Sequence, residues 1–156
     1  MIEILVPGGG ALRLEYLVAD FNGTLAVDAT LLPGVEEALR RLAGRLAIHV
    51  VTADTHGRAR EALAGLPLEL FVLPPGPGAP AKRYHVERLG AHRCAAIGNG
   101  RNDCDLLSVA ALGIAVVQAE GAAAQTLAAA DIVVPDIGAA LDLLLHPARL
   151  ASTLRP

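Results

Sequence analysis

The stretch "LVADFNGTLAVD", residues 17–28, sets an apolar run against an abrupt polar turn. Leu17, Val18 and Ala19 read as the end of a buried strand. Asp20 stands at its mouth, and Asn22-Gly23 turns the chain before Thr24. Taking a carboxylate out of water costs several kcal/mol unless a partner offsets it. An acid in this position therefore calls for partners from elsewhere in the chain.

Outward from this stretch, short β-rich runs alternate with helical periodicity. Towards the N-terminus, "IEILV" (2–6) and "LRLEYLVA" (12–19) flank "PGGG" (7–10), which predicts a hairpin or bent strand pair. Downstream, Val35, Ala38, Leu39 and Leu42 repeat at helical spacing. Strands are predicted at "RLAIHVV" (45–51), "LELFVL" (68–73), "CAAIG" (94–98), "GIAVV" (113–117) and "DIVV" (131–134). Helices are predicted over 55–64, 80–89, 102–112 and 121–130, and again where Ile137, Ala140, Leu141 and Leu144 recur. The proline-rich loop "PPGPGAP" (74–80) continues neither neighbour. The tail, 146–156, carries no pattern strong enough to assign. Strands that are apolar without alternation suit a parallel sheet covered on both faces. The expectation is one α/β domain over 1–156: a three-layer α/β/α, Rossmann-like core with a mostly parallel sheet and an N-terminal hairpin.

Composition narrows the function classes. Of 156 residues, 53% are hydrophobic and 19% charged, which fits a folded globular chain. A net charge of −3 without a basic cluster argues against a nucleic-acid partner, and 3% aromatics leave little to stack on bases. Two cysteines, Cys94 and Cys104, do not make a disulfide framework. No apolar run reaches the ~20 residues of a membrane span and no leader opens the sequence, so the expectation is a cytoplasmic protein without a membrane partner.

In an open α/β sheet, ligands bind beyond the carboxyl ends of the strands. Asp20 and Thr52 sit at two such ends. "AAIGNGRND" (95–103) brings Asn99, Asn102 and Asp103 to a third, and Lys82 begins the helix before it. An acid, a hydroxyl, an ammonium and a second acid on one edge make a site for a phosphoryl group and a divalent cation. An aspartate can attack phosphorus and split one hard displacement into two easier ones. A cation must then bridge the two anions, and Mg²⁺ suits oxygen ligands. Asp20 and Asp103 would give it carboxylates and Asn22 its backbone carbonyl. Thr52 and Ala53 would hold phosphoryl oxygens, and Lys82 would balance charge. The chain has 12 arginines and one lysine, so an ammonium placed here is informative.

With those residues in place, the sequence resembles the haloacid dehalogenase-like superfamily, in the style of its small soluble P-type-ATPase-like phosphatases. "DFNGT" (20–24), "VVTADT" (50–55), Lys82 and "GNGRND" (98–103) follow that family's motif order, with gaps of 32, 30 and 17 residues from Asp20 to Thr52, Lys82 and Asn99. "LGIAVVQAEGAAAQTLAAADIVV" (112–134) resembles P-type ATPase phosphorylation domains. The resemblance implies a Mg²⁺-dependent phosphohydrolase with an aspartyl-phosphate on Asp20, and catalytic positions at Asp20, Asn22, Thr52 and Lys82. It implies phosphate contacts from Gly23, Thr24, Thr52, Ala53, Lys82 and Asn102, and metal contacts from Asp20, Asn22, Asn99 and Asp103. The implied substrate is a phosphorylated small molecule or a phosphoprotein.

Two positions depart from the family pattern. Asn22 replaces the acid that protonates the leaving alcohol, a contribution of roughly 10²–10⁴-fold. Asn99 replaces a charged metal ligand with a neutral amide. The chain should therefore favour good leaving groups over alkyl esters. The gaps of 32 and 30 residues leave no space for a cap domain, so the site should be open, or roofed by another copy in a homo-oligomer.

Plainer readings stand beside these. Asn22-Gly23 and Asn99-Gly100 are also hairpin-turn pairs, and Asp103 could simply start a helix. Asp54 reads as a capping or loop residue and His56 as a possible substrate contact. His49 reads as a core residue, while His85, His92 and His146 are scattered without metal spacing. Two other functions remain open: a receiver-like phosphoacceptor domain, and a non-catalytic binding domain.

Overall fold

A computed structural model of the protein describes residues 1–54 and 56–156. Thr55, which ends "VVTADT" and opens the helix expected over 55–64, lies outside the described residues. The chain begins with a hairpin of β1 (Ile2–Val6) and β2 (Gly10–Leu14), antiparallel and forming its own small sheet. Then come β3 (Tyr16–Asp20), a second hairpin of β4 (Ala26–Val27) and β5 (Thr30–Leu31), α1 (Val35–Leu42), β6 (Ala47–Thr52), α2 (Arg58–Ala62) and β7 (Glu69–Val72). The second half is α3 (Gly78–Leu89), β8 (Cys94–Gly98), α4 (Cys104–Val109), β9 (Leu112–Val116), α5 (Ala124–Ala129), β10 (Ile132–Val134), α6 (Ile137–Leu145) and α7 (Pro147–Thr153). Among the described residues no helix is long and apolar enough to cross a membrane.

Six strands form one parallel sheet in the order β10-β9-β8-β3-β6-β7. The reason is visible along β3. Leu17 and Ala19 point into a core with Leu39, Leu42, Leu141 and Leu144, whereas Val18 packs with Val86, Leu106 and Leu107 on the other face. Both faces are covered, which is why the strands read as continuous apolar runs. The architecture is the expected three-layer α/β/α fold.

The topology decides where ligands go. From β3 the chain moves outward to β6 and β7, then crosses back to β8 on the other side and continues to β9 and β10. The strand order reverses between β3 and β8, so a crevice opens there beyond the carboxyl ends. Register brings the ends level: Asp20 pairs with Val51, one residue before Thr52, and Ala19 pairs with Ile97, one before Gly98.

Three features differ from the sequence reading. The run 12–19 is two strands, split at Glu15, whose carboxylate pairs with Arg93 at 2.8 Å; β2 belongs to the hairpin and β3 to the main sheet. Helix α3 starts at Gly78, inside the expected loop, because Pro80 falls in its first turn, where no N–H is needed. The unassigned tail forms α7, whose Leu150 is fully buried against the core.

Candidate active site

Asp20 ends β3 and is 8% exposed. Its Oδ1 accepts a hydrogen bond from Lys82 Nζ at 2.6 Å, and the same ammonium donates to Asp103 Oδ1 at 2.6 Å. Lys82, on α3, is 1% exposed, and Asp103 is fully buried. The second oxygen of Asp103 accepts the backbone N–H groups of Asn99 (3.0 Å) and Gly100 (2.9 Å), which fixes the turn after β8. Gly98 makes room for this: a Cβ there would stand 2.5 Å from the Asp103 carboxyl carbon.

Two carboxylates share one ammonium, so with both ionised the cluster carries one net negative charge. Burial, reinforced by the neighbouring Asp103 and opposed by Lys82, pushes the Asp20 carboxyl up to about 7. Burial pulls Lys82 down, but Asp20 and Asp103 together outweigh it and hold the ammonium above its usual range. The cluster is short of positive charge, and Asp20, Asn22 and Asn99 line the cleft beside it. A hard divalent cation would suit such a set: Asp20 and Asp103 could supply charge, and the Asn22 carbonyl and the Asn99 amide neutral oxygens. Among the described residues no group of three or more His, Cys, Asp or Glu gathers as an alternative metal site.

The turn after β3 is built by its own backbone. Gly23 N–H donates to Ala26 O at 2.7 Å, and Thr24 N–H to Phe21 O at 3.2 Å. Gly23 has φ +80°, and a Cβ there would stand 2.6 Å from both Asn99 Nδ2 and Glu120 Oε2. Only glycine fits a left-handed position pressed this closely. Thr24 is buried, and its hydroxyl donates to Asn99 Oδ1 at 3.2 Å. The structure thus places Gly23 and Thr24 in the loop scaffold, with their N–H groups committed locally. Asn99 is held from its other end as well, its Nδ2 donating to Gly121 O at 3.0 Å.

Asp20, Asn22, Thr52, Lys82, Asn99 and Asn102 line one cleft of about 370 Å³. Ala53 lies at its rim beside Thr52, which is 3% exposed. The four chain segments expected to converge do so. A second cleft of about 340 Å³ adjoins it, lined on its far side by Asp28, His56 and Arg58. Asp54 caps the start of α2, its Oδ1 accepting Ala59 N–H at 2.9 Å. His85 is not isolated, as its sequence position suggests: its Nε2 lies 3.0 Å from His49 Nδ1, and His49 stacks on Phe71.

Sequence reasoning passed over Gln118 and Glu120. Gln118 Nε2 donates to the carbonyls of Gly23 (2.9 Å) and Thr24 (2.6 Å), and its Oε1 accepts Ile137 N–H at 3.0 Å. Glu120 lines both clefts. The signal was available: both follow the carboxyl end of β9, the same sheet edge that supplies the other residues.

No protein-family model matches the chain. Its structure is similar to that of a putative haloacid dehalogenase superfamily (subfamily III A) hydrolase from Legionella pneumophila, with TM-score 0.73 and 18% identity over 92% of this chain and 88% of that one. It is similar to cobalt-bound deoxy-D-mannose-octulosonate 8-phosphate phosphatase from Haemophilus influenzae, with TM-score 0.72 and 18% identity over 92% and 94%. A third likeness is 3-deoxy-D-manno-octulosonate 8-phosphate phosphatase from Moraxella catarrhalis in complex with magnesium, phosphate and its sugar, with TM-score 0.68 and 17% identity over 90% and 94%. The chain therefore has the haloacid dehalogenase-like fold. An uncharacterized protein of Methanocaldococcus jannaschii is 57% identical over 60 residues, which are 38% of this chain and 64% of that protein's length.

Proposed function

We propose that the chain is a Mg²⁺-dependent phosphohydrolase that works through an aspartyl-phosphate on Asp20. The observation that carries this reading is the buried Lys82 ammonium held 2.6 Å from both Asp20 and Asp103 at the point where the strand order reverses. It is supported by the phosphatases that share the fold, one of them described with magnesium and phosphate together.

In this reading Asp20 attacks phosphorus and is later freed by water. Lys82 favours the charged form of the nucleophile and faces the transferring group, with Thr52, Ala53 and Asn102 around its oxygens. A Mg²⁺ ion held by Asp20, Asp103, the Asn22 carbonyl and Asn99 would offset the repulsion between carboxylate and phosphate. Asn22 cannot transfer a proton, which favours aryl and acyl phosphates over alkyl esters. Between Asp20 and Lys82 the described residues form only the β4–β5 hairpin, α1, β6, α2, β7 and the first turn of α3. On this reading residues 1–156 are one domain without a cap, and the open cleft takes a phosphorylated small molecule in the cytoplasm. A homo-oligomer would roof the cleft.

The test is phosphate release from p-nitrophenyl phosphate with and without Mg²⁺, run beside Asp20→Asn. The expected result is metal-dependent turnover that Asp20→Asn abolishes. Turnover surviving in that variant, or indifferent to metal removal, overturns the proposal.

A further inference from the structure

The proposed reaction leaves one task without a residue, since the amide of Asn22 can neither give nor take the proton of the leaving group. The loop after β9 holds a carboxylate at the place where that task arises. Gln118 ties the loop to the carbonyls of Gly23 and Thr24 on one side of Glu120. Asn99 ties it on the other, through Gly121 O at 3.0 Å and through Ala123 N–H, which donates to Asn99 O at 2.9 Å. Pinned at both ends, the loop sets Glu120 Oε2 against Gly23, the residue next to Asn22. Among the described residues no hydrogen bond or ion pair engages that carboxylate, so it is free to meet a ligand.

The two clefts show what it would meet. The inner one contains Asp20 and Lys82, and so receives the phosphoryl group; the outer one must take the remainder of the ester. Four residues line both: Asn22, Thr52, Ala53 and Glu120. The bond to be broken crosses this junction. Of the four, only Glu120 carries a carboxyl group, the one side chain there built to give and take a proton. It does not join Asp20 and Asp103 as a third carboxylate on one ion, because no such trio gathers among the described residues.

Resting on the reading of Asp20 as nucleophile, we propose that Glu120 is the general acid and base of the reaction, in place of the acid missing at position 22. As the Asp20–phosphorus bond forms, the ester P–O bond breaks. Its electron pair goes to the leaving oxygen, which takes the proton of the Glu120 carboxyl. In the second half, Glu120 takes a proton from water as that water attacks phosphorus, and the Asp20–phosphorus bond breaks. Glu120 returns protonated and Asp20 returns as a carboxylate.

The test compares the parent, Glu120→Gln and Asn22→Asp/Glu120→Gln on p-nitrophenyl phosphate, whose leaving group needs no proton, and on glycerol phosphate, whose leaving group does. In Glu120→Gln, glycerol phosphate turnover should fall roughly 10²–10⁴-fold. The aryl substrate should still give a burst of about one equivalent of nitrophenol, followed by slow turnover, because acylation-like transfer to Asp20 survives and its hydrolysis does not. Asn22→Asp, placed next to the same junction, should restore much of both. Parental rates in Glu120→Gln overturn this proposal alone, as does an equal loss on both substrates without a burst, or a parent that turns over the aryl substrate but not glycerol phosphate. A parent with no metal-dependent turnover overturns the phosphohydrolase reading and this proposal with it.

Discussion

Lys82 Nζ lies 2.6 Å from Asp20 Oδ1, with both groups buried at the carboxyl end of β3. The contact joins residues far apart in sequence and supplies the countercharge that an acid at the mouth of a buried strand requires. Lys82→Met would leave Asp20 and Asp103 facing each other with no cation between them. Breaking a buried pair by removing one partner costs about 3–5 kcal/mol. In a chain of this size that corresponds to a fall of roughly 10 °C in Tm. Lys82→Arg should not restore the parent melt, because a planar guanidinium cannot occupy the space of a compact ammonium between two carboxylates. Thermal melts of both variants in the absence of metal check this; a melt within a degree or two of the parent would refute it.

Gly23 offers a steric test of the loop. Gly23→Ala places a Cβ 2.6 Å from Asn99 Nδ2 at φ +80°. The left-handed conformation alone costs about 1–2 kcal/mol for a non-glycine residue, and Asn99 cannot yield without losing its bonds to Thr24 or Gly121. Aryl phosphatase activity should drop about 10²-fold through displacement of Asn22 and Asn99, along with a lower Tm. Gly44→Ala is the control: its Cβ would meet only Arg41 O at 3.7 Å, and the melt should stay near that of the parent.

Much of this was legible before any coordinates. Asp20 and Thr52 announce themselves as polar groups at the ends of apolar runs, Asp103 by the polar turn that follows such a run, and Lys82 as the one lysine beside 12 arginines, and the strand-end rule then brings them together. The parallel sheet was legible for a related reason, since strands such as 94–98 show no alternation. The split at Glu15 was hidden, because one polar residue within a β-rich run does not distinguish a bend from a surface position. The tail was hidden because α7 is held by a single deeply buried residue, Leu150, rather than by a periodic stripe. Glu120 was missed because an exposed acid in an Ala- and Gly-rich loop resembles any solvated surface residue. Its significance lies in the bonds from Gln118 and Asn99 that fix its loop, and these link distant parts of the chain.

Stability between pH 4 and pH 7.5 should depend on pH through groups of opposite sign. The Asp20 carboxyl rises from 3.8 to about 7 on folding, so the metal-free native state holds a proton that the unfolded chain has lost. That stabilisation is complete below pH 3.8 and disappears as pH rises through 7. His85 is pushed the other way, down from 6.5 to about 4 by burial first, then by His49 and Arg88. Its contribution is complete above pH 6.5 and disappears as pH falls through 4. Metal-free melts between pH 4 and pH 7.5 should separate the two. Asp20→Asn should remove the loss on the alkaline side, and His85→Leu should reduce the loss on the acid side, which His49, also lowered by burial, shares. If Asp20→Asn leaves the alkaline slope intact, the slope arises elsewhere.

Metal binding should leave a thermodynamic trace that needs no turnover. A ligand that binds only the native state adds about 2.7 kcal/mol at one hundred times its Kd, so Mg²⁺ should raise the Tm of the parent and do little for Asp103→Asn. Asn99→Asp makes the sharper comparison. In the metal-free chain the new carboxylate faces Gly121 O, where Asn99 Nδ2 now donates at 3.0 Å, and it adds a negative charge beside Asp103. The metal-free Tm should therefore fall. With Mg²⁺ present the same carboxylate becomes a charged ligand. Unit charges 4 Å apart attract by about 1 kcal/mol even in bulk water and a divalent ion by about twice that, so the affinity for Mg²⁺ should rise roughly tenfold or more. The two effects have opposite signs, and calorimetric titration with Mg²⁺ separates them from a general loosening of the fold, which would lower both. An Asn99→Asp chain that melts lower and binds Mg²⁺ no better than the parent would place the ion away from residue 99.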